Sequence, residues 1–359
     1  MFRRSIMGAV VALLAIAVPA GAAEDQGAVY VLSNSAGANA VLAYDRAADG
    51  SLSYSDSYAT GGLGLGAGLG SQSAVTLSEN GRFLLAVNAG SNSISSFAVA
   101  HDGLELRDVE DSRGIRPTSV AERHGLVYVL NAGVPNSIAG FELDAKGELT
   151  PIAGSGRPLA AAQTTPSQIA ISPSRDAIVV TERATSSIMT WALDNDGAPG
   201  AAQVFASGGN APFGFAFGHQ NTLVVSDAAA PSGASSYRLH GSDVETITPI
   251  LPSSRAAACW TVVTKNGKFA YVANGGTGDV TGLAVAANGS ISLLDPSGVS
   301  ATVGGSATDV ALSESSQFLF VRNGALAKVD AFAIAADGSL SHTGSVPGLP
   351  ATAAGIAAS

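Results

Sequence analysis

Seven copies of one short pattern govern what this chain can fold into. An apolar run ending in a polar residue recurs at Tyr30–Asn34, Leu84–Asn88, Val127–Asn131, Ile178–Glu182, Leu223–Asp227, Ala270–Asn274 and Leu319–Asn323. The copies are spaced by about 48 residues, a period that marks a repeat architecture. A second pattern follows each run: an aliphatic residue with a bulky one three positions on, at Val41/Tyr44, Ile94/Phe97, Ile138/Phe141, Ile188/Trp191, Ala234/Tyr237, Val280/Leu283 and Val329/Phe332. In six units a glycine stands six residues after the bulky position, at Gly50, Gly103, Gly147, Gly197, Gly289 and Gly338; the exception is Gly241, four residues after Tyr237.

Each unit reads as β structure. Its apolar runs are short, rich in β-branched or aromatic residues, and bounded by Asp-Gly and Asn-Gly pairs that favour tight hairpins. The pairs Asn80-Gly81 and Asn266-Gly267 mark one hairpin, and Asp49-Gly50, Asp102-Gly103, Asp196-Gly197, Asn288-Gly289 and Asp337-Gly338 mark the next. About four antiparallel strands per unit follow, and four-stranded units of this length are propeller blades. The fold expected is all-β: a seven-bladed β-propeller, one domain over residues 24–359. The chain enters at the second strand of a unit, and Pro350–Ile356 resembles the unit openings at Pro117–Ala121 and Pro166–Ala170. The C-terminal strand is therefore expected to complete the first blade and leave no open edge.

Residues 1–23 read as a signal peptide rather than as part of the fold. Arg3 and Arg4 supply the positive start, Ile6–Val18 the apolar middle and Ala20-Gly21-Ala22 the small-residue cleavage site. A periplasmic or secreted protein without a membrane anchor after cleavage is expected. Composition then excludes whole classes. The chain is 46% hydrophobic with only 13% charged residues, so it buries a large core and is not disordered. A net charge of −10 argues against nucleic acid as a partner. One cysteine, Cys259, forbids an internal disulfide framework, and no cofactor or metal is expected. The expected partner is a small-molecule ligand or substrate, with a protein as the other occupant, and the chain is expected to be a monomer.

The strand order places candidate chemistry on one face, where the start of each inner strand meets the loop after each second strand. Loops held by a rigid scaffold are the usual place for a site. Glu182, Arg183 and Arg116 stand there as candidate catalytic residues: a general base and two cations able to stabilise an oxyanion. Gln72, Asn88, Asn131, Gln168, Phe213, Asp227, Arg255, Trp260 and Asn274 are candidate substrate-binding residues. The other reading of Glu182 and Arg183 is a solvated ion pair, and that of Phe213 and Trp260 is packing between blades. The five histidines fall at outer hairpins (His101, His240), opposite-face turns (His124, His219) and an outer strand (His342), which leaves no histidine triad. The stretch Gly62–Gly68 weakly matches a nucleotide-binding glycine pattern, but no helix follows it to hold a phosphate.

The element order, the run Ser78–Asn88 and its echo at Lys265–Asn274 resemble the lactonase family of seven-bladed propellers, which includes propeller-type 6-phosphogluconolactonases and fungal carboxymuconate lactonizing enzymes. The resemblance spans essentially the whole chain after the first segment. It implies lactone hydrolysis and a site on the face just described. Glu182 matches a family glutamate after the fourth blade's second strand. The family's Pro-His in the third blade is here Pro117-Thr118, its Pro-Arg-His in the fourth is Pro166-Ser167-Gln168, and its arginine after the sixth blade's asparagine is Gly275. Without those groups, which would move a proton and hold an anionic carboxylate or phosphate, a neutral or weakly polar lactone is the expected substrate. The alternative is a non-catalytic propeller binding a ligand or protein on the same face.

Overall fold

The computed structural model describes residues 26–359, and the expected signal segment lies outside them. The chain forms seven antiparallel sheets. Blade 2 runs Val75–Leu77, Phe83–Asn88, Ser93–Ala100 and Gly103–Asp111 from the axis outward; blade 4 runs Pro166–Ile171, Ala177–Glu182, Ser187–Leu193 and Pro199–Ala206. The inner strands of blades 3, 5, 6 and 7 are Pro117–Arg123, Pro212–Phe217, Ala258–Val263 and Ala307–Leu312. Blade 1 is built from both ends of the chain: Gly27–Leu32 pairs on one side with Ala40–Arg46 and on the other with Ala354–Ala358. The expected closure is present, although the strand begins at Ala354 rather than Pro350. No helix of the described residues is long and apolar enough to cross a membrane.

Both repeated sequence patterns acquire a physical meaning. The aliphatic and bulky residues lie on the third strand of each blade, and Ile94, Phe97, Phe141, Ile188, Trp191 and Tyr237 are all fully buried. A turn glycine of one blade then presses on a large side chain of the blade before it. A Cβ on Gly338 would come within 2.7 Å of the Phe269 ring, and its backbone sits at φ +84°, so both space and conformation require glycine. The same turn accepts a hydrogen bond from the buried Tyr271 hydroxyl at 2.8 Å, and Tyr128 makes the equivalent bond to Gly197 at 2.7 Å.

In blades 3 and 6 the outer strand is split into two short pieces, Leu149–Pro151 with Arg157–Pro158 and Ile291–Leu293 with Ala301–Thr302. Pro151 and Pro296 stand at or just after the breaks. Lacking an N–H, proline cannot continue a ladder, and only an edge strand tolerates that. Five inner strands carry a register shift next to their first residue, between Pro117/Ser119, Pro166/Gln168, Pro212/Phe215, Ala258/Trp260 and Ala307/Val310. The residue just before the strand is in the left-handed region at Arg116, Thr165, Ala211 and Ala257. Such bulges turn the chain at the rim of the axis and re-aim its side chains.

Candidate functional site

The start of each inner strand pairs with the end of the second strand, as Pro166 does with Glu182 and Pro212 with Asp227, so the expected face exists. The structure divides the candidates on it into two sets. Asn88, Asn131, Asn274, Glu182 and Asp227 occupy one equivalent position, each fully buried and turned into the blade. There Asn88, Asn131 and Asp227 tie down the crossover arriving from the neighbouring blade, and Asn274 binds the third strand of its own blade. Asn88 accepts from Thr60 at 2.6 Å and donates to Ser95 at 2.8 Å; Asn131 donates to the Ser112 carbonyl at 3.0 Å; Asn274 donates to Asp279 and Thr281.

Glu182 and Asp227 hold the same place with carboxylates. Glu182 accepts from Thr185 at 2.9 Å while its Oε1 has no hydrogen-bond partner; burial raises its carboxyl above the usual range. Asp227 accepts from Ser235 at 2.8 Å and from Ser207 at 3.4 Å, and burial pushes its carboxyl up to about 7. The expectation that these side chains meet substrate is corrected: both have 0% exposure. Glu182 and Arg183 form no ion pair either, because adjacent strand-end residues point to opposite sides of the sheet.

Three other candidates are also used internally or stand apart. Gln168 grips the inner strand of the next blade, donating to the Phe215 carbonyl at 2.9 Å and accepting from its N–H at 2.7 Å. Arg255 is bound to the buried Asp279 through Nε at 2.9 Å. Arg116 is exposed at the rim, with its guanidinium on the Ala132 carbonyl.

The remaining candidates meet at the axis. Arg183 is half-buried, and its guanidinium lies over the Phe213 ring at 5.0 Å. Phe213 packs edge-to-face on Trp260 at 5.1 Å. The guanidinium also borders Gly70, where a Cβ would lie 3.2 Å from Nη2, and it acts on the Cys259 thiol, which burial nevertheless lifts to about 12. Burial lowers the Arg183 pKa, its Nε has no hydrogen-bond partner, and no described ion pair includes it. A cation in that setting is placed to receive an oxygen atom carrying negative charge.

Below this cluster the channel is plugged. The segment Gly70–Ser73, which leads into the inner strand of blade 2, crosses the axis. Gln72 N–H donates to the Ser167 carbonyl in blade 4 at 3.1 Å, and its side-chain amide makes a reciprocal pair with Thr261 of blade 6 at 2.7 and 2.9 Å. Ser71 donates to the Thr118 carbonyl in blade 3 at 2.7 Å and its own carbonyl accepts from Trp260 Nε1 at 2.9 Å. Gly214 of blade 5 leaves room for the Gln72 side chain, since a Cβ there would sit 1.9 Å from Oε1. Gln72 is thus the floor of the mouth. The glycine-rich stretch feeding it is pinned to blade 1, with Leu65 N–H on Asn34 Oδ1 at 2.8 Å and Gly66 N–H on the Asn34 carbonyl at 2.9 Å. Positive φ at Gly70 and Ser73 makes the crossing, and a periodicity search cannot register such a turn. Asp309, which was not among the candidate site residues, lies on the channel wall of blade 7 with 1% exposure. Among the described residues no three His, Cys, Asp or Glu side chains are grouped to hold a metal ion.

Seven closed blades with this motif order match the family model described as lactonase, 7-bladed β-propeller, over residues 22–153 and 108–245, more than half of the chain. The chain belongs to the lactonase family of seven-bladed β-propellers. No curated protein matches it. Among solved structures, the lactonase fold is shared with a periplasmic gluconolactonase, PpgL, of Pseudomonas aeruginosa, at a TM-score of 0.74 and 15% identity, covering 92% of this chain and 98% of that one. A candidate 6-phosphogluconolactonase of Bacteroides uniformis aligns at 0.71 and 18% identity, over 92% of this chain and 99% of that one. At these identities the likeness establishes the propeller. Within it, the positions where the family resemblance implied histidine carry Thr118 and Gln168, the one where it implied arginine in blade 4 carries Ser167, and all three are buried.

Proposed function

We propose that this family member is an exported hydrolase of neutral or weakly polar lactones, periplasmic or secreted, with Arg183 as the group that binds the lactone carbonyl. The carrying observation is Arg183 itself: half-buried, backed by Phe213, floored by Gly70 and bound to no carboxylate. The lactone carbonyl accepts from the guanidinium, water adds to the carbonyl carbon, the charge on the tetrahedral oxygen is held by the same cation, and the ring C–O bond breaks as the ring oxygen takes the proton that the attacking water gives up, leaving a hydroxy acid. Phe213 and Trp260 offer an apolar wall for the ring carbons. One cation suits one oxygen, which fits a lactone without a phosphate or carboxylate. Export is supported by the N-terminal segment and by the likeness to the periplasmic gluconolactonase of Pseudomonas aeruginosa.

The test is a lactone panel with a pH-indicator readout. Arg183→Gln is expected to lower kcat/KM by about 10²–10³, the usual effect of removing an oxyanion donor. Glu182→Gln, changed beneath the surface, is expected to leave kcat/KM within a few-fold. Turnover unaffected by Arg183→Gln would sink the assignment. The second reading is a non-catalytic binder, favoured by one observation: Glu182, Asp227 and Asp309 have at most 1% exposure, so none of these three carboxylates is open to accept a proton at the mouth. Arg183-dependent binding of a lactone or hydroxy acid with no turnover across the panel would decide for it.

A further inference from the structure

The plug does not fill the channel evenly. It leans from blade 2 onto blades 3 to 6 and leaves a cavity of about 260 Å³ on the side of blades 7, 1 and 2. Gln72 and Ser73 close its inner end, and Val75, Leu77, Val262 and Ile356 contribute apolar walls. Leu77, Val262 and Ala358 are only half-buried, so the chamber opens on the face opposite the mouth.

One charged side chain lines it. Asp309 has 1% exposure, its Oδ1 accepts from the Val310 N–H at 2.9 Å, and its Oδ2 is buried with no partner. No described ion pair contains it; Arg322, the cation whose field reaches it, gives Nη2 to the Thr308 carbonyl at 2.6 Å. Its backbone is held at φ +148°, outside the range that side-chain-bearing residues favour, and within the register shift between Ala307 and Val310. A buried carboxylate kept in a strained conformation with a free oxygen costs stability that a purely structural residue would not impose. The equivalent residue of blade 4, Gln168, uses its head to tie the next inner strand; Asp309 makes no such tie.

We propose that this half-channel is a binding chamber for a small primary alkylammonium ion, whose head pairs with Asp309 Oδ2 and whose chain lies against the apolar walls. The site is separate from the mouth, because Gln72 stands between them, and it does not depend on lactone hydrolysis. A cationic head supplies the partner that Asp309 lacks, and the walls gain by covering the chain. Burial has lifted the Asp309 carboxyl to about 7 against the lowering pull of Arg322, so a cation placed at Oδ2 would favour the charged form.

Isothermal titration at pH 8 with n-hexylammonium chloride, and with 1-hexanol as the uncharged match, tests this. Wild type is expected to bind hexylammonium at least tenfold more tightly than hexanol. Asp309→Asn should lose at least tenfold in hexylammonium affinity, whereas Arg183→Gln should leave it unchanged. Ala311→Leu, which fills the chamber without touching the carboxylate, should also abolish binding, and it keeps the proposal testable if Asp309→Asn does not fold. No binding heat in wild type, equal affinity for hexanol, or affinity that follows Arg183 instead of Asp309 would overturn the assignment.

Discussion

Asparagine ends the second-strand motif in five blades, at residues 34, 88, 131, 274 and 323; glutamate and aspartate do so in blades 4 and 5. The difference is chemical. An amide donates as well as accepts, so Asn131 and Asn323 hold crossover carbonyls, while a carboxylate only accepts and must be met by hydroxyls, as Asp227 is by Ser207 and Ser235. With the Asp227 carboxyl at about 7 when folded and near 4 when unfolded, the folded state holds a proton that the unfolded chain has lost between those values. Its contribution is therefore fully present below about pH 4 and is lost as pH rises through 7. Asp227→Asn, which restores the residue of the other blades, is expected to stabilise the protein at pH 8 by about 1–4 kcal/mol and to flatten the decline in Tm between pH 5 and 8. Melting curves at the two pH values check this; an unchanged slope would mean that Asp227 is ionised in the fold.

At the scale of the element, the third strands carry the packing and the turns between strands lock it. Trp191, with 0% exposure in the middle of blade 4, should cost about 3–5 kcal/mol when changed to Ala. Gly338→Ala should cost more than Tyr271→Phe, for the first adds strain and a clash with Phe269 while the second removes one buried hydrogen bond of about 1 kcal/mol. Denaturant titrations of the two variants would order them. Every one of these positions was legible in the sequence, because repetition displayed it several times over. The site was less legible for the same reason. Glu182 and Asp227 stood out as charges in an apolar pattern, yet they fill a structural position whose asparagine occupants reveal its purpose only once the bonds are seen. Gln72 stood among the candidates at the strand entries, but the chain crossing at Gly70–Ser73 that makes it a plug, and the positive φ that the bulge imposes on Asp309, are backbone conformations that a repeated residue pattern does not display.

For the whole molecule, the ring is fastened by six residues, 354–359. Ala354–Ala358 supplies the inner strand of blade 1, Arg46 Nε donates to the Ser359 carbonyl at 3.3 Å, and Ala28 N–H donates to Ser359 Oγ at 2.9 Å. Deleting residues 350–359 would uncover Val29, Val31 and the neighbouring faces of blades 7 and 2, and a large fall in Tm by circular dichroism is expected. A truncated chain melting with the full-length protein would show that the other six blades hold the ring without this clasp.

The way the clasp is laid also sets how the ring yields to force. Val29 lies opposite Ala358 and Val31 opposite Ile356, so the two ends of the chain emerge from the same end of an antiparallel ladder. A pull applied to both ends loads the hydrogen bonds one after another, as a zipper is opened, rather than all at once in shear. A ring held by seven packed blades therefore has a mechanically soft seam, and tension along the chain would undo it from blade 1 while the remaining blades are still folded.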